Sequence, residues 1–197
     1  YVITGQFSKK AYEEGKKYGD CKLVASSEDR NNTYIPQLTR WNFRFNRADY
    51  VHICFNNTIY GTAYNQYPET GALPLIADMS SDIMSKVVDV NRFALIFAGA
   101  QKNMGPSGVT LVIMRKGLAE RCPETVPTML RFSTHIKAQS LYNTPSTFSI
   151  YMVRLVTDWM LEQGGVPTVQ KLNEIKAARL YAAMDRSGFY RGTCDVA

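Results

Sequence analysis

The residues best suited to chemistry in this sequence are a lysine and an aspartate, each placed at the end of an apolar run. Lys102 stands in Ala98-Gly-Ala-Gln-Lys-Asn-Met-Gly-Pro-Ser-Gly108, directly after the run Phe93-Ala-Leu-Ile-Phe-Ala98. A lysine delivered from a buried strand through small residues is expected to enter a crowded, dry region. Desolvation favours the neutral amine and makes it a nucleophile toward carbonyl groups. Gly99, Ala100, Gly105 and Gly108 are expected to let the backbone approach a bulky ligand. The competing reading is a loop lysine whose head reaches solvent. The stretch is not a P-loop, because neither Ser nor Thr follows the lysine and Pro106 follows Gly105. No GxGxxG opens a helix, so a dinucleotide site is unsupported.

Asp78 closes the run Leu73-Pro-Leu-Ile-Ala77 and begins Asp-Met-Ser-Ser. In open α/β sheets, ligands sit beyond the strand ends. An aspartate there, with a lysine on a neighbouring strand's exit loop, matches what pyridoxal phosphate requires. The lysine holds the aldehyde as a Schiff base. The aspartate keeps the pyridine nitrogen protonated, so that the ring accepts electrons from Cα. The alternative for Asp78 is a helix N-cap.

The elements that must position this pair follow from patterning. Ser8 to Tyr18 reads as a helix with Ser8 as N-cap and Gly19 as its stop. Lys22–Ala25, Val51–Phe55, Leu73–Ala77, Phe93–Ala98 and Val109–Met114 read as strands, and Ser26 to Asn46 as mostly loop. Continuous apolar strands imply burial on both faces, hence an α/β sheet under helices. Pro145 fits the first turn of a helix to about Gln163, stopped by Gly164-Gly165, and a second helix runs from about Pro167 to Asp185. Phe148, Tyr151, Met152, Leu155, Val156, Trp159 and Met160 recur at helical spacing and are expected to be core.

Composition bounds the remaining possibilities. The chain has 197 residues, 45% hydrophobic and 20% charged, which fits a globular domain or a tight pair. No apolar run reaches the ~18–20 residues of a membrane span. The net charge of +6 invites a nucleic-acid reading, but Glu13 and Glu14 interrupt the lysine pairs at 9–10 and 16–17, and a solvated helix face explains them. Positive charge would equally steer small anionic substrates. Cys21, Cys54, Cys122 and Cys194 form no CxxC pair, and with only His52 and His135 besides, a zinc site is poorly supported. Free thiols suggest a cytoplasmic protein. The sequons Asn31-Asn-Thr33 and Asn56-Asn-Thr58 are read as chance triplets. The chain lacks an initiator Met and both ends look cut from something longer.

Phe97-Ala-Gly-Ala-Gln-Lys-Asn-Met-Gly-Pro-Ser-Gly-Val-Thr110 resembles the cofactor-lysine segment of phosphoserine aminotransferases. Ala77-Asp-Met-Ser-Ser-Asp82, Ser140-Leu-Tyr-Asn-Thr-Pro145 and Glu162-Gln-Gly-Gly165 resemble the same family, as do Gly5-Gln-Phe-Ser-Lys-Lys10 and Cys54-Phe-Asn-Asn-Thr58. The resemblance implies a fold-type I pyridoxal-phosphate enzyme of α/β class, with a mostly parallel central sheet covered by helices and truncated at both ends. Residues 1–184 would be the central part of the large domain, and 185–197 the start of an incomplete small domain. It implies amino transfer from L-glutamate to 3-phosphohydroxypyruvate, giving O-phospho-L-serine and 2-oxoglutarate in serine biosynthesis, with a parallel step toward pyridoxine in many bacteria. Lys102 would be the Schiff-base and proton-shuttling residue. Asp78 would pair with the ring nitrogen, and Phe7 would stack on the ring where the family commonly has Trp. Thr58 would bond near the ring hydroxyl or phosphate, and Gln101 would help hold the phosphate. Asn143 and Thr144 would reach the phosphate of the partner's cofactor in a homodimer. The family's substrate-binding arginines fall outside this chain and are not assigned to Arg40, Arg44, Arg47 or Arg131. Rival readings are a serine–pyruvate or alanine–glyoxylate aminotransferase, a basic binding module, and a truncated chain without activity.

Overall fold

The computed structural model of the protein describes residues 1–37 and 48–195. Its centre is a four-stranded sheet of β3 (Val51–Cys54), β6 (Leu75–Asp78), β7 (Leu95–Gly99) and β8 (Thr110–Met114), in that spatial order. The first three strands are parallel and β8 runs antiparallel to β7. Two short pairs flank it. β1 (Val2–Ile3) runs parallel to β2 (Ala25–Ser26), and β4 (Asn56–Asn57) is antiparallel to β5 (Thr62–Ala63). The helices are α1 (Gln6–Gly15), α2 (Phe132–Lys137), α3 (Thr147–Glu162) and α4 (Gly165–Ser187).

The strand expectations hold for all four central strands, within one or two residues at most ends. The two-residue strands β1, β4 and β5 carry too little periodicity to be read, and β2 lies later than the expected Lys22–Ala25. Helix α1 starts at Gln6 rather than after Ser8. Ser8 sits in the first turn, where its Oγ accepts the N–H groups of Thr4 at 3.0 Å and Gly5 at 3.1 Å. A serine in the first turn thus caps by reaching back. Helix α3 begins two residues after Pro145. Gly164, at φ 95°, separates it from α4.

Side chains alternate across each strand. Val51, Ile53, Phe55, Leu75, Ala77, Met79, Ile96 and Ala98 gather on one face and form the main core with Ile83, Phe93, Ala100 and Met104. The opposite face carries His52, Cys54, Asp78, Phe97 and Val112, the last four brought level by the strand register. Coverage of that second face is incomplete, and both Val112 and Ile113 of β8 are exposed. Burial on both faces, expected from the apolar runs, therefore holds only for the inner strands. The α3 stripe is not core either: Phe148, Tyr151, Leu155 and Trp159 are exposed, and Met160 alone of the seven is fully buried. Periodicity reports that a helix face wants a cover, not that this segment supplies one.

Candidate functional site

Three sequence-predicted residues meet at one end of the sheet. Lys102 Nζ donates to Thr58 Oγ1 at 2.7 Å and lies 5.2 Å from the centroid of the Phe7 ring. Each arrives on a different element. Lys102 ends a short helical turn, Ala100–Lys102, that follows β7 directly. Thr58 opens the turn between β4 and β5, and Phe7 lies in the first turn of α1.

A buried polar knot brings α1 and the β4–β5 turn together. Thr4 Oγ1 donates to Asn57 Oδ1 at 3.1 Å, and Asn57 Nδ2 donates to Thr62 Oγ1 at 3.2 Å. Gly5 permits the approach, since a Cβ there would lie 2.8 Å from Asn57 Oδ1. Every buried polar atom in such a knot must be paired, so its geometry is strongly specified.

The lysine itself departs from expectation. Lys102 is exposed in this chain, not enclosed. The helical turn carries it out past the strand end, and Ala100 takes the fully buried position instead. The small residues also act differently from the expected ligand cradle. A Cβ on Gly105 would sit 3.0 Å from Val153 Cγ2, so Gly105 makes room for α3. Ser149 on the same helix donates to Ser107 O at 3.1 Å, which docks α3 onto the lysine loop. Gln101 is exposed and its amide lies over Gly99.

Asp78 closes β6 with its carboxylate held from one side. Oδ1 accepts from the Ser80 N–H at 2.9 Å and the Ser80 hydroxyl at 2.6 Å, an Asx-type turn. Among the described residues, Oδ2 receives only a long contact, 3.9 Å, from the Cys54 thiol. Burial and the nearby Asp78 carboxylate push the Cys54 thiol far up, so it is no nucleophile. His52, two residues earlier on the same face, is pushed down to about 4 by burial, with Asp78 opposing. Its ring lies 5.2 Å from that of Tyr1 and stays neutral near pH 7. Cys54, His52 and Ser80 were not singled out by sequence. The i, i+2 alternation puts the first two on one face of β3, but Cys54 comes beside Asp78 only through the pairing of β3 with β6, which the sequence does not state.

Asn143 and Thr144 are not part of this constellation. Both are exposed on the loop between α2 and α3, where Asn143 Nδ2 contacts Met129 Sδ at 3.3 Å. An open cavity of about 340 Å³ nearby is lined by Thr128, Arg131, Thr134, Lys137, Ala138 and Tyr142, and includes neither Lys102 nor Asp78. Arg40, Arg44 and Arg47 lie outside the described residues. Among the described residues, no group of three His, Cys, Asp or Glu side chains is arranged to hold a metal ion, and no helix is long and apolar enough to cross a membrane.

The sheet and its exit loops have the fold of the fold-type I aminotransferases. The chain belongs to the class-V aminotransferase family, whose pattern matches residues 8–196. It is 55% identical over 192 residues to the phosphoserine aminotransferase of Geobacillus kaustophilus, covering 97% of this chain and 53% of that protein. The phosphoserine aminotransferase structure from Bacillus circulans subsp. alkalophilus superposes with a TM-score of 0.95 at 49% identity, covering 99% of this chain and 54% of that one. The pyridoxal-phosphate-bound phosphoserine aminotransferase of Trichomonas vaginalis superposes at 0.90 with 33% identity, covering 99% and 58%. The chain thus spans about half the length of the curated relatives it matches.

Proposed function

We propose that this chain is the cofactor-binding part of a phosphoserine aminotransferase, transferring an amino group between L-glutamate and 3-phosphohydroxypyruvate. The observation that carries the reading is the meeting of Lys102, Thr58 and Phe7 at the sheet end, beside a strand that presents Asp78. The donor set suits pyridoxal phosphate: a primary amine for its aldehyde, a carboxylate for its ring N–H⁺, an aromatic face for its ring, and a hydroxyl for its polar edge. When bound, the cofactor supplies an electron-accepting ring.

The chain's own residues do the rest. Lys102 holds the cofactor through its amine and, once released, moves the proton at the substrate Cα. Asp78 keeps the ring nitrogen cationic. Phe7 covers a ring face, a role its exposed position at the mouth allows. Thr58 orients the amine and Gln101 lies close enough in sequence to assist the phosphate. Asn143 and Thr144, exposed and remote in sequence, complete a partner's site in a homodimer. The likeness to the Bacillus circulans and Geobacillus proteins supports this choice over a serine–pyruvate or alanine–glyoxylate aminotransferase. Residues 1–184 belong to the large domain and 185–197 begin a second one, although α4 runs unbroken to Ser187. The protein works in the cytoplasm.

The test is Lys102→Ala in the full-length protein. Turnover of glutamate with 3-phosphohydroxypyruvate should fall at least about a thousandfold, and borohydride labelling of the wild type should map to Lys102. Near wild-type turnover in the variant, or a label on another lysine, would refute the assignment. Faster turnover of alanine with glyoxylate would favour the rival substrate class.

A further inference from the structure

We propose that Ser80 is a positioning residue that locks the Asp78 carboxylate to the strand carrying Lys102, an inference that rests on the pyridoxal-phosphate reading above. The Ser80 hydroxyl is used twice. It donates to Asp78 Oδ1 at 2.6 Å and accepts the Gly99 N–H at 3.1 Å. Ser80 N–H adds a second bond to the same carboxylate oxygen at 2.9 Å. Two donors on Oδ1 fix the rotation of the carboxylate, because charge-assisted bonds are short and directional. They leave Oδ2, whose single contact among the described residues is the thiol at 3.9 Å, as the oxygen available to a ring N–H⁺.

The second bond gives Ser80 its reach. Gly99 is the last residue of β7 and stands three positions before Lys102. The segment between is stiff: Ala100 is fully buried, its N–H donates to Val109 O at 2.9 Å, and its carbonyl accepts from both Met104 and Gly105 at 3.0 Å. One hydroxyl therefore sets the spacing between the exit of β6, which carries the carboxylate, and the exit of β7, which carries the amine. Alanine can neither donate nor accept here, and valine matches threonine in shape but lacks the hydroxyl.

The experiment is a pyridoxal phosphate titration of full-length apo-protein, read by absorbance. Ser80→Ala should raise the dissociation constant about tenfold, whereas Ser80→Thr should stay within about threefold of wild type. In an Asp78→Ala background, Ser80→Ala should change it less than about twofold, because the group it acts through is gone. Equal losses in both backgrounds, or wild-type affinity in Ser80→Ala, would overturn the proposal while leaving the cofactor reading intact. Should Ser80→Ala fail to fold, the isosteric pair decides: Ser80→Val must bind about tenfold more weakly than Ser80→Thr, and equal binding overturns the role. A wild type that binds no pyridoxal phosphate would sink the cofactor reading itself, and this inference with it.

Discussion

The sheet end and the C-terminal helices are built on opposite terms. Between Val51 and Met104, apolar side chains close on one another, and the polar groups that remain are mostly tied into short hydrogen bonds around Asp78, Ser80 and Asn57. Along α3 and α4, most large apolar side chains face outward: Phe148 is 69% exposed, Trp159 51% and Leu180 62%. The first region fixes reacting groups through its own packing. The second presents an apolar surface that no described residue covers, while Val153 and Ser149 dock α3 on the lysine loop. The difference shows that an apolar stripe in the sequence does not by itself make a core among the described residues.

The contrast breaks most sharply under truncation of one side chain in each region. Ile96, 1% exposed at the centre of the sheet, should cost about 3 kcal/mol when changed to Ala, within the usual 2–5 range for buried aliphatics. Leu155, 42% exposed on α3, should cost no more than about 0.5 kcal/mol in the unfolding of a single chain. Urea unfolding of both variants at low protein concentration makes the comparison. Similar costs would mean that the α3 face is packed in solution and that the two regions are not built differently.

Sequence reading reached the sheet end far better than the helices, for physical reasons. Strands such as Val51–Cys54 and Leu95–Gly99 are short, apolar and bounded by turn formers, so local pattern and tertiary role coincide. The lysine, aspartate, threonine and phenylalanine were expected to share a site, and three of them touch or face one another. The burial of Lys102 was misjudged because a strand's dryness does not extend past a helical turn that leads outward. Ser80 was missed because its importance lies in a bond to Gly99, nineteen positions away, which no local signal reports. Helix α2, six residues long, has no stretch of periodicity to read. The α3 stripe was legible as apolar but silent about its partner.

A smaller effect separates the sheet's two faces by pH. His52 is held near 4, below its unfolded value of about 6.5. Between those limits the unfolded chain takes up a proton that the folded chain refuses, so this group makes stability fall as pH falls from 6.5 to 4. Asp82 does the reverse. Burial raises it to about 6 against an unfolded value near 3.8, and Lys86 at 3.7 Å offsets this only in part. The folded chain binds its proton first, so this group makes stability rise as pH falls from 6 to 4. The two slopes oppose one another in the shared window. His52→Phe should therefore gain stability on acidification from pH 6 to 4.5 relative to wild type, by on the order of 2 kcal/mol. Asp82→Asn should lose stability over the same interval. Thermal melts across that range decide it, and parallel profiles for all three proteins would rule out titration at these sites.

The smallest expected effect sharpens what the outer region is for. Asn143 is exposed and, among the described residues, bonded only to a thioether, a weak acceptor, so the fold gains little from its amide. Asn143→Ala should leave the unfolding free energy within about 0.5 kcal/mol of wild type. If the loop completes a partner's site, as proposed, the same change should weaken pyridoxal phosphate binding to the full-length dimer by about three- to tenfold, the worth of one ordinary hydrogen bond. The two measurements point in different directions by design. A loss of stability without a loss of affinity would make the α2–α3 loop part of the scaffold, and its surface would then belong with the sheet end rather than with the uncovered helices.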